Sequence, residues 1–122
     1  MRPWMGLIAL LHIETIDRRI VDQMTWDTMP LPLVSLRQRQ PIGLVTSVRV
    51  VDGNVYANGW IEAEDLMTDR YAVGVDLDDA ELAPETTGFD VLRIIDSNLR
   101  GLSVCDEGSK PAWPECHIRV LR

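Results

Sequence analysis

The sequence predicts a mainly β chain that folds as one closed or nearly closed barrel with one or two short helices. Seven or eight short apolar or alternating runs are separated by glycine, proline and aspartate, which is typical of all-β domains. A two-residue turn at Asp52-Gly53 joins the two clearest runs. With 122 residues the chain is the size of one domain, and closing the sheet removes its edge strands. We therefore predict a single barrel domain over residues 1–122.

The first third of the chain predicts two strands and an extended segment. Residues 6–13 form an apolar run, which indicates a strand buried on both faces. The run is far shorter than the roughly 20 residues that span a bilayer, so we expect no membrane segment. A short strand is expected at 18–21. Residues 29–33 contain Pro30 and Pro32, which cannot donate to a ladder, so we expect an edge segment that leads into 34–36.

Residues 43–51 and 54–61 predict the two arms of a β-hairpin. The turn between them suits Gly53, because glycine adopts positive φ without a steric penalty. Strict alternation divides the first arm between two faces. One face then carries Leu44, Thr46, Val48 and Val50, and the other carries Val45, Ser47, Arg49 and Val51.

The second half predicts one short helix, four strands and two loops. Residues 62–68 combine helix-forming residues with acids in the first turn, which favours one or two helical turns. Strands are expected at 70–77, 89–95, 99–105 and 116–121. Residues 78–88 predict an acidic loop, and 106–114 predict a second loop rich in glycine and proline.

Composition excludes several classes of ligand. The net charge of −7 argues against nucleic acid as a partner, because phosphate binding requires clustered lysine and arginine. No glycine-rich phosphate loop and no Cys/His cluster with zinc-ligand spacing occurs, so we expect no metal and no cofactor. Cys105 and Cys116 are too few for a disulfide framework. Two buried free thiols are favoured, although a disulfide between adjacent strands stays open.

Two groups of polar residues are candidates for chemistry. Ser103 and His117 lie on strands expected to be neighbours, where a serine and its base could meet. A half-buried serine and a surface histidine are the simpler interpretation. The carboxylates of Asp76, Asp78 and Asp79 could bind calcium, but no EF-hand spacing is present. A solvated acidic loop, or one that meets a basic partner, is the favoured interpretation.

The four tryptophans are candidates for contacts with a partner, because tryptophan is enriched at interface hot spots. Trp113 lies between Pro111 and Pro114 in a predicted loop, where burial is not obvious. We expect that Trp113 or Trp4 packs against a partner, with all four tryptophans in the core as the alternative.

Several segments, in order, resemble the prohead (capsid maturation) proteases of tailed bacteriophages, and the actinobacterial-phage versions are the most similar. The resemblance spans roughly residues 6–118. It rests on IETIDRRI at 13–20, Met24 to Trp26, MPLPL at 29–33, PIGLV at 41–45, the hairpin turn, VGVDLDD at 73–79, RGLSV at 100–104 and PAWPECHI at 111–118. The resemblance implies a herpesvirus-protease-like β-barrel with small flanking helices.

The chain departs from this family at the positions that would carry catalysis. The family's nucleophilic serine corresponds to Gly74, which has no side chain. Its catalytic histidine falls within 33–43, and this stretch has no histidine. Arginine stays protonated and glutamine does not titrate, so neither replaces the base. We therefore expect no catalytic residues and no enzymatic activity.

The resemblance then implies a non-enzymatic minor capsid or decoration protein. It would be made in the host cytoplasm, remain in the virion, and stabilise the shell by binding the major capsid protein, and it could also form a homo-oligomer. The candidate contact residues are Trp4, Trp113, Pro111, Pro114, Asp78 and Asp79. Two alternatives stay open: an active maturation protease with relocated catalytic residues such as Ser103 and His117, and a scaffold that leaves before maturation.

Overall fold

A computed structural model describes residues 1–62, 70–83, 91–105 and 111–121. Their strands are β1 (Arg2–Leu10), β2 (Arg19–Val21), β3 (Leu31–Ser35), β4 (Gln40–Val51), β5 (Asn54–Ile61), β6 (Arg70–Leu82), β7 (Leu92–Cys105) and β8 (His117–Val120). Seven of them close into a barrel in the order β3-β4-β5-β1-β8-β6-β7, because β7 pairs with both β6 and β3. β2 lies outside this ring, parallel to the start of β7. The predicted mainly β closed barrel is confirmed.

The short helix expected at 62–68 lies, after Glu62, outside the described residues. Part of the loop expected at 106–114 lies outside them as well. Within the described segments, no helix is long and apolar enough to cross a membrane.

The inward side chains of the strands fill the barrel with one apolar core. Its fully buried large apolar side chains are Trp4, Ile8, Leu33, Val45, Val55, Ile61, Val73, Leu99, Leu102 and Ile118. Glycines on β1, β4 and β5 leave room for close approach of the strands. A Cβ atom at Gly6, Gly43 or Gly59 would overlap a carbonyl oxygen of the neighbouring strand. Glycine at these three positions therefore allows neighbouring strands to pack as closely as the barrel requires.

The predicted hairpin of β4 and β5 is confirmed. Asp52 and Gly53 both have positive φ, 51° and 81°, as a type I′ turn requires. The predicted alternation is wrong beyond Val45, because the register shifts between Val45 and Ser47. This bulge leaves one extra residue in β4, so the two halves of the strand do not share one alternation.

β3 corrects the expectation of an edge segment at 29–33. β3 pairs with β4 on one side and with β7 on the other, so it is a central strand. Pro32 is tolerated because the parallel ladder with β7 begins only at the next residue, Leu33. Gly101 of β7 accommodates the proline, since a Cβ atom there would lie 3.0 Å from the Pro32 carbonyl oxygen and 3.1 Å from its Cγ.

The second half of the chain has fewer and longer strands than predicted. β6 continues to Leu82, so Asp78 and Asp79 lie in a strand and not in the predicted acidic loop. β7 is one continuous strand where two were expected, at 89–95 and 99–105. The two strands stay paired through three register shifts along β6, and one of them falls near Asp79, whose φ is 51°. Such irregular pairing leaves no clear alternation for sequence analysis to detect.

β1 begins and ends earlier than the predicted strand at 6–13. The strand covers Arg2–Leu10, and within the predicted run Leu7 lies on the outer face, where it is half-buried and lines a groove. The expectation that this strand is buried on both faces is therefore wrong, because only the inward face of a barrel strand contacts the core. β8, His117–Val120, agrees closely with the strand predicted at 116–121.

A polar cluster fixes β2 against the start of β7. Arg93 donates from Nε to Asp22 Oδ2 at 2.7 Å and from Nη2 to Asp22 Oδ1 at 3.1 Å. His12 Nδ1 lies 3.0 Å from Asp22 Oδ1. The hydrogen bond from Arg93 outweighs partial burial and lowers the pKa of the Asp22 carboxyl. The Asp22 carboxylate, just after β2, thus links His12, just after β1, to Arg93 near the start of β7.

Candidate functional site

The position expected to carry a nucleophile lies on the outer face of the barrel, where β6 pairs with β7. Gly74 is the direct partner of Ser103 in this ladder. A Cβ atom at Gly74 would lie 3.0 Å from Ser103 Oγ. The Ser103 hydroxyl donates a long, 3.5 Å hydrogen bond to the Gly74 carbonyl oxygen. Within the described β6–β7 ladder, Ser103 carries the only hydroxyl next to position 74. Its hydrogen bond goes to a backbone carbonyl oxygen and not to a base.

The segment expected to supply a base forms the end of β3, a turn and the start of β4. Its polar side chains bind within the turn. Ser35 Oγ accepts a hydrogen bond from the Gln38 backbone N–H at 3.2 Å, and Gln40 Nε2 donates to Gln38 Oε1 at 3.0 Å. These groups hold the turn and do not titrate near neutral pH.

Ser103 and His117 are not neighbours, which corrects the expectation that their strands are adjacent. β6 lies between β7 and β8, with Gly74 opposite Ser103 and Ala72 opposite His117. Two strand spacings separate the residues by about 10 Å across the sheet. The imidazole instead contacts Arg70, whose Nη2 lies 3.4 Å from His117 Nδ1. A proton transfer from Ser103 to His117 is out of hydrogen-bond reach in this arrangement.

A shallow groove of about 320 Å³ adjoins position 74 on the outer face. Its walls are largely apolar, with Pro32, Val34 and Leu36 on the β3 side and Val75 on β6. Gly101 and Ser103 line it on β7, and Asp76 is its one carboxylate. This lining is suited to contact and includes no histidine.

Two of the predicted contact residues are buried, which corrects the expectation of exposed anchors. Trp4 is 1% exposed, and its indole Nε1 donates to the Trp60 carbonyl oxygen at 3.3 Å. Trp113 is 2% exposed, and its Nε1 donates to the Ile13 carbonyl oxygen at 2.9 Å. Both side chains close the core, so neither is available to a partner of the folded barrel.

The tryptophan that reaches the surface is Trp60, at 46% exposure. It lies in a cross-strand row on the outer face, with Leu44 opposite it on β4 and Pro3 opposite it on β1. Pro32 on β3 lies opposite Leu44 and extends the row. Leu44 is 39% exposed, and Pro32 is exposed as well. We call Pro3, Trp60, Leu44 and Pro32 the Trp60 row.

The Trp60 row was missed by sequence analysis, although the sequence contains a signal for it. In β5 the small or aliphatic residues Val55, Ala57, Gly59 and Ile61 alternate with larger or polar ones. The first set is buried, so alternation places Trp60 outside. Contiguous exposed apolar side chains of this kind are typical of protein–protein contact sites.

The remaining predicted contact residues are divided between two regions. Asp78 and Asp79 are brought together by Arg100, at 3.4 Å from Nε and 3.2 Å from Nη2 respectively. Their side chains stay 62% and 70% exposed. Pro114 is exposed and Pro111 is half-buried in the turn before β8. No described hydrogen bond or ion pair joins these two regions.

The thiols and acids of the described segments form no metal site. No group of three or more His, Cys, Asp or Glu side chains in those segments has the arrangement of a metal site. Cys105 and Cys116 are both free, as predicted, but only Cys116 is buried, whereas Cys105 is half-buried. Burial, with a smaller contribution from Glu115, raises the pKa of the Cys116 thiol to about 12. That thiol is therefore protonated and unreactive in the native protein.

Comparison with known proteins identifies no match, whether with protein families, curated proteins or solved structures. The resemblance to the prohead proteases therefore stays a prediction.

Proposed function

We propose that the chain is a non-enzymatic capsid protein that binds and stabilises the shell built by the major capsid protein of a tailed bacteriophage. The partner comes from the resemblance to the prohead proteases. The absence of catalysis is supported by Gly74 at the nucleophile position and by the separation of Ser103 from His117.

The Trp60 row is the observation that carries the binding function. It presents an indole, an isobutyl group and two proline rings side by side across four strands. Because the strands are paired and the row lies over a packed core, the surface is preorganised and loses little entropy on binding. Exposed tryptophan on a rigid surface is a common interface hot spot.

The acidic residues support the same proposal from a second region. Asp76, Asp78, Asp79 and Glu81 are exposed along β6, and Arg100 pairs with only two of them. A basic region of the shell would complement this surface and steer the protein onto it.

Binding to purified shells tests the proposal directly. We expect Trp60→Ala to weaken co-sedimentation with shells about 30-fold, because losing a tryptophan hot spot costs about 2 kcal/mol. Val51→Ala is the matched control, since Val51 is also exposed, at 47%, but lies outside both the row and the acidic region of β6. Equal binding by Trp60→Ala and the wild type would exclude the row as the contact.

The composition of purified virions tests the location. A capsid component is expected in mature particles at a fixed ratio to the major capsid protein, and its removal should lower the resistance of the shell to heat. A chain found in precursor particles but missing from mature virions is instead a transient scaffold.

A further inference from the structure

A second concave surface lies on the outer face, over β1, β4 and β5. It is a groove of about 320 Å³ whose lining combines apolar, polar and cationic side chains. The side chains that matter are Met5, Leu7, Ser47, Arg49, Tyr56 and Asn58. We call this surface the arginine groove.

Arg49 supplies the charge of the arginine groove. Its guanidinium lies over the Tyr56 ring, with Cζ 5.7 Å from the ring centroid, which orders the cation without neutralising it. Arg119 lies beside the groove, because it is the direct partner of Met5 in the ladder of β1 and β8. Within residues 1–62, 70–83, 91–105 and 111–121, no carboxylate is in ion-pair contact with Arg49 or Arg119. Two cations thus meet solvent in a chain whose net charge is −7.

The complementary surface of the same chain lies on β6 beyond its contact with β8. β6 pairs with β8 only at Arg70–Ala72, and residues 76–82 continue alongside β7. We call residues 76–82 the acidic ribbon. Asp78 and Asp79 share Arg100, but in the described part of the chain Asp76 and Glu81 have no ion-pair partner. Asp76 and Glu81 are both exposed.

One copy of the chain cannot bring these two surfaces together. Arg49 and Ala72 lie in one cross-strand row, which runs through Tyr56, Leu7 and His117. Around the closed barrel, β4 and β6 are four strand spacings apart through β5, β1 and β8, about 19 Å, and three apart through β3 and β7, about 14 Å, so the two surfaces lie on opposite sides of the core. The acidic ribbon runs further away from Ala72, and its pairing with β7 holds it there. Contact between the two surfaces therefore requires two molecules.

We propose that the protein associates with itself head to tail, with the acidic ribbon of one copy on the arginine groove of the next. The two surfaces differ, so the contact is heterologous, and a pair of copies keeps one free groove on one copy and one free ribbon on the other. Such contacts continue until they close a ring or extend a filament.

Salt dependence of association is the first test. In sedimentation velocity we expect species heavier than the monomer at about 0.1 M salt and the monomer at about 1 M, because the Debye length falls from about 10 Å to about 3 Å. A monomer at both salt concentrations, up to the highest soluble protein concentration, overturns the proposal. So does association that is unaffected by salt.

Charge reversal on each surface is the second test. We expect Arg49→Glu combined with Arg119→Glu to weaken association at least about tenfold, and Asp76→Lys combined with Glu81→Lys to do the same. An equimolar mixture of the two double variants should associate again, because each reversed surface now faces a reversed partner. Failure of the mixture to associate, with both variants folded by circular dichroism and thermal unfolding, overturns the pairing of these surfaces.

A charge-matched control separates the groove from net charge. Arg39→Glu makes the same charge change as Arg49→Glu, but Arg39 lies in the turn between β3 and β4, distant from the groove. Arg39→Glu is expected to leave association unchanged, and an equal loss with both single variants overturns a role for the groove. Shell binding is measured separately through Trp60→Ala, whose row shares no residue with the arginine groove or the acidic ribbon, so failure of the self-association is distinguishable from failure of the proposed function.

Discussion

At the scale of single residues, glycines set how closely the barrel strands approach each other. Gly59 on β5 points into the barrel beside Trp4, and a Cβ atom there would overlap the Leu44 carbonyl oxygen. Gly74 on β6 is different, because the nearest atom to its added Cβ is the rotatable hydroxyl of Ser103. The two glycines therefore differ in what they contribute to the fold.

We expect Gly59→Ala to lower the free energy of unfolding by about 3 kcal/mol or more, because the new methyl group meets backbone that cannot move alone. Gly74→Ala should change it by less than about 1 kcal/mol, since only the Ser103 hydroxyl must rotate. Urea unfolding of both variants measures the difference. A Gly74→Ala variant as unstable as Gly59→Ala would contradict this account of position 74.

Sequence alone identified some surface residues and misplaced others for a physical reason. Trp113 is flanked by prolines, which predicted an exposed loop, yet its indole reaches the Ile13 carbonyl oxygen 100 residues earlier in the chain. No local pattern records such a contact. Trp60 could have been found by alternation, because Gly59 and Ile61 beside it are buried. The burial of Trp113 depends on a contact with a distant part of the chain, so local sequence does not predict it. The outward direction of Trp60 follows from alternation along its own strand, so local sequence does.

At the scale of elements, the short strand β2 is joined to β7 in part through the Asp22 carboxylate. The strand has three residues and pairs only with the start of β7. The Asp22 carboxylate accepts two hydrogen bonds from Arg93 and contacts His12. Since the pKa of Asp22 is lowered in the folded protein, the ionised form stabilises the fold.

We expect Asp22→Asn to reduce stability at neutral pH by about 1 kcal/mol, the upper end for a pair near the surface. The lowered pKa of Asp22 determines the pH range over which this contribution to stability is lost. The contribution is fully present above the unfolded pKa of about 3.9 and is lost as the pH falls through the lower folded value. Thermal unfolding from neutral to acid pH should therefore show the variant and the wild type converging.

Asp76→Asn is the control for this pH dependence, because Asp76 is exposed and has no ion pair in the described segments. Its thermal stability at neutral pH should be close to that of the wild type. A gap between Asp22→Asn and the wild type that persists below the folded pKa would contradict an electrostatic role for the carboxylate.

The elements that sequence predicted well are those specified by local chemistry. The β4–β5 hairpin was predicted because Asp52 and Gly53 adopt positive φ in a two-residue turn. β3 was misassigned because its neighbour Gly101 lies 69 residues after Pro32, and that glycine is what makes a central proline possible. The predicted strand at 70–77 ended before the end of β6, because the acidic residues from Asp78 onward are typical of a loop. Their pairing with β7, which lies later in the chain, is not visible in the local sequence.

At the scale of the whole molecule, strand order decides which side chains meet. β7 and β8 come one after the other in the sequence, but the ring inserts β6 between them. Ser103 and His117 thus lie on the same outer face without a shared ladder. Sequence order suggested an adjacent pair, and the barrel topology separates it.

We therefore expect the purified chain to leave the major capsid protein uncut, because no serine–histidine pair among residues 1–62, 70–83, 91–105 and 111–121 lies within hydrogen-bond reach. A serine-reactive phosphonate should not label it, and Ser103→Ala should behave as the wild type in both assays. Gly74→Ser should also remain inactive, since the turn between β3 and β4 provides no base. Cleavage that disappears in Ser103→Ala would contradict the assignment as a non-enzyme.

β7 pairs with β2, β3 and β6, and all three precede it in the chain. While the protein is being synthesised, each of them leaves the ribosome before its partner exists. The nascent chain therefore carries bare hydrogen-bonding backbone along β3 and β6 until Leu92–Cys105 emerges. Crowded polysomes expose neighbouring nascent chains to the same unsatisfied strands, and translation speed through β7 sets how long that hazard lasts.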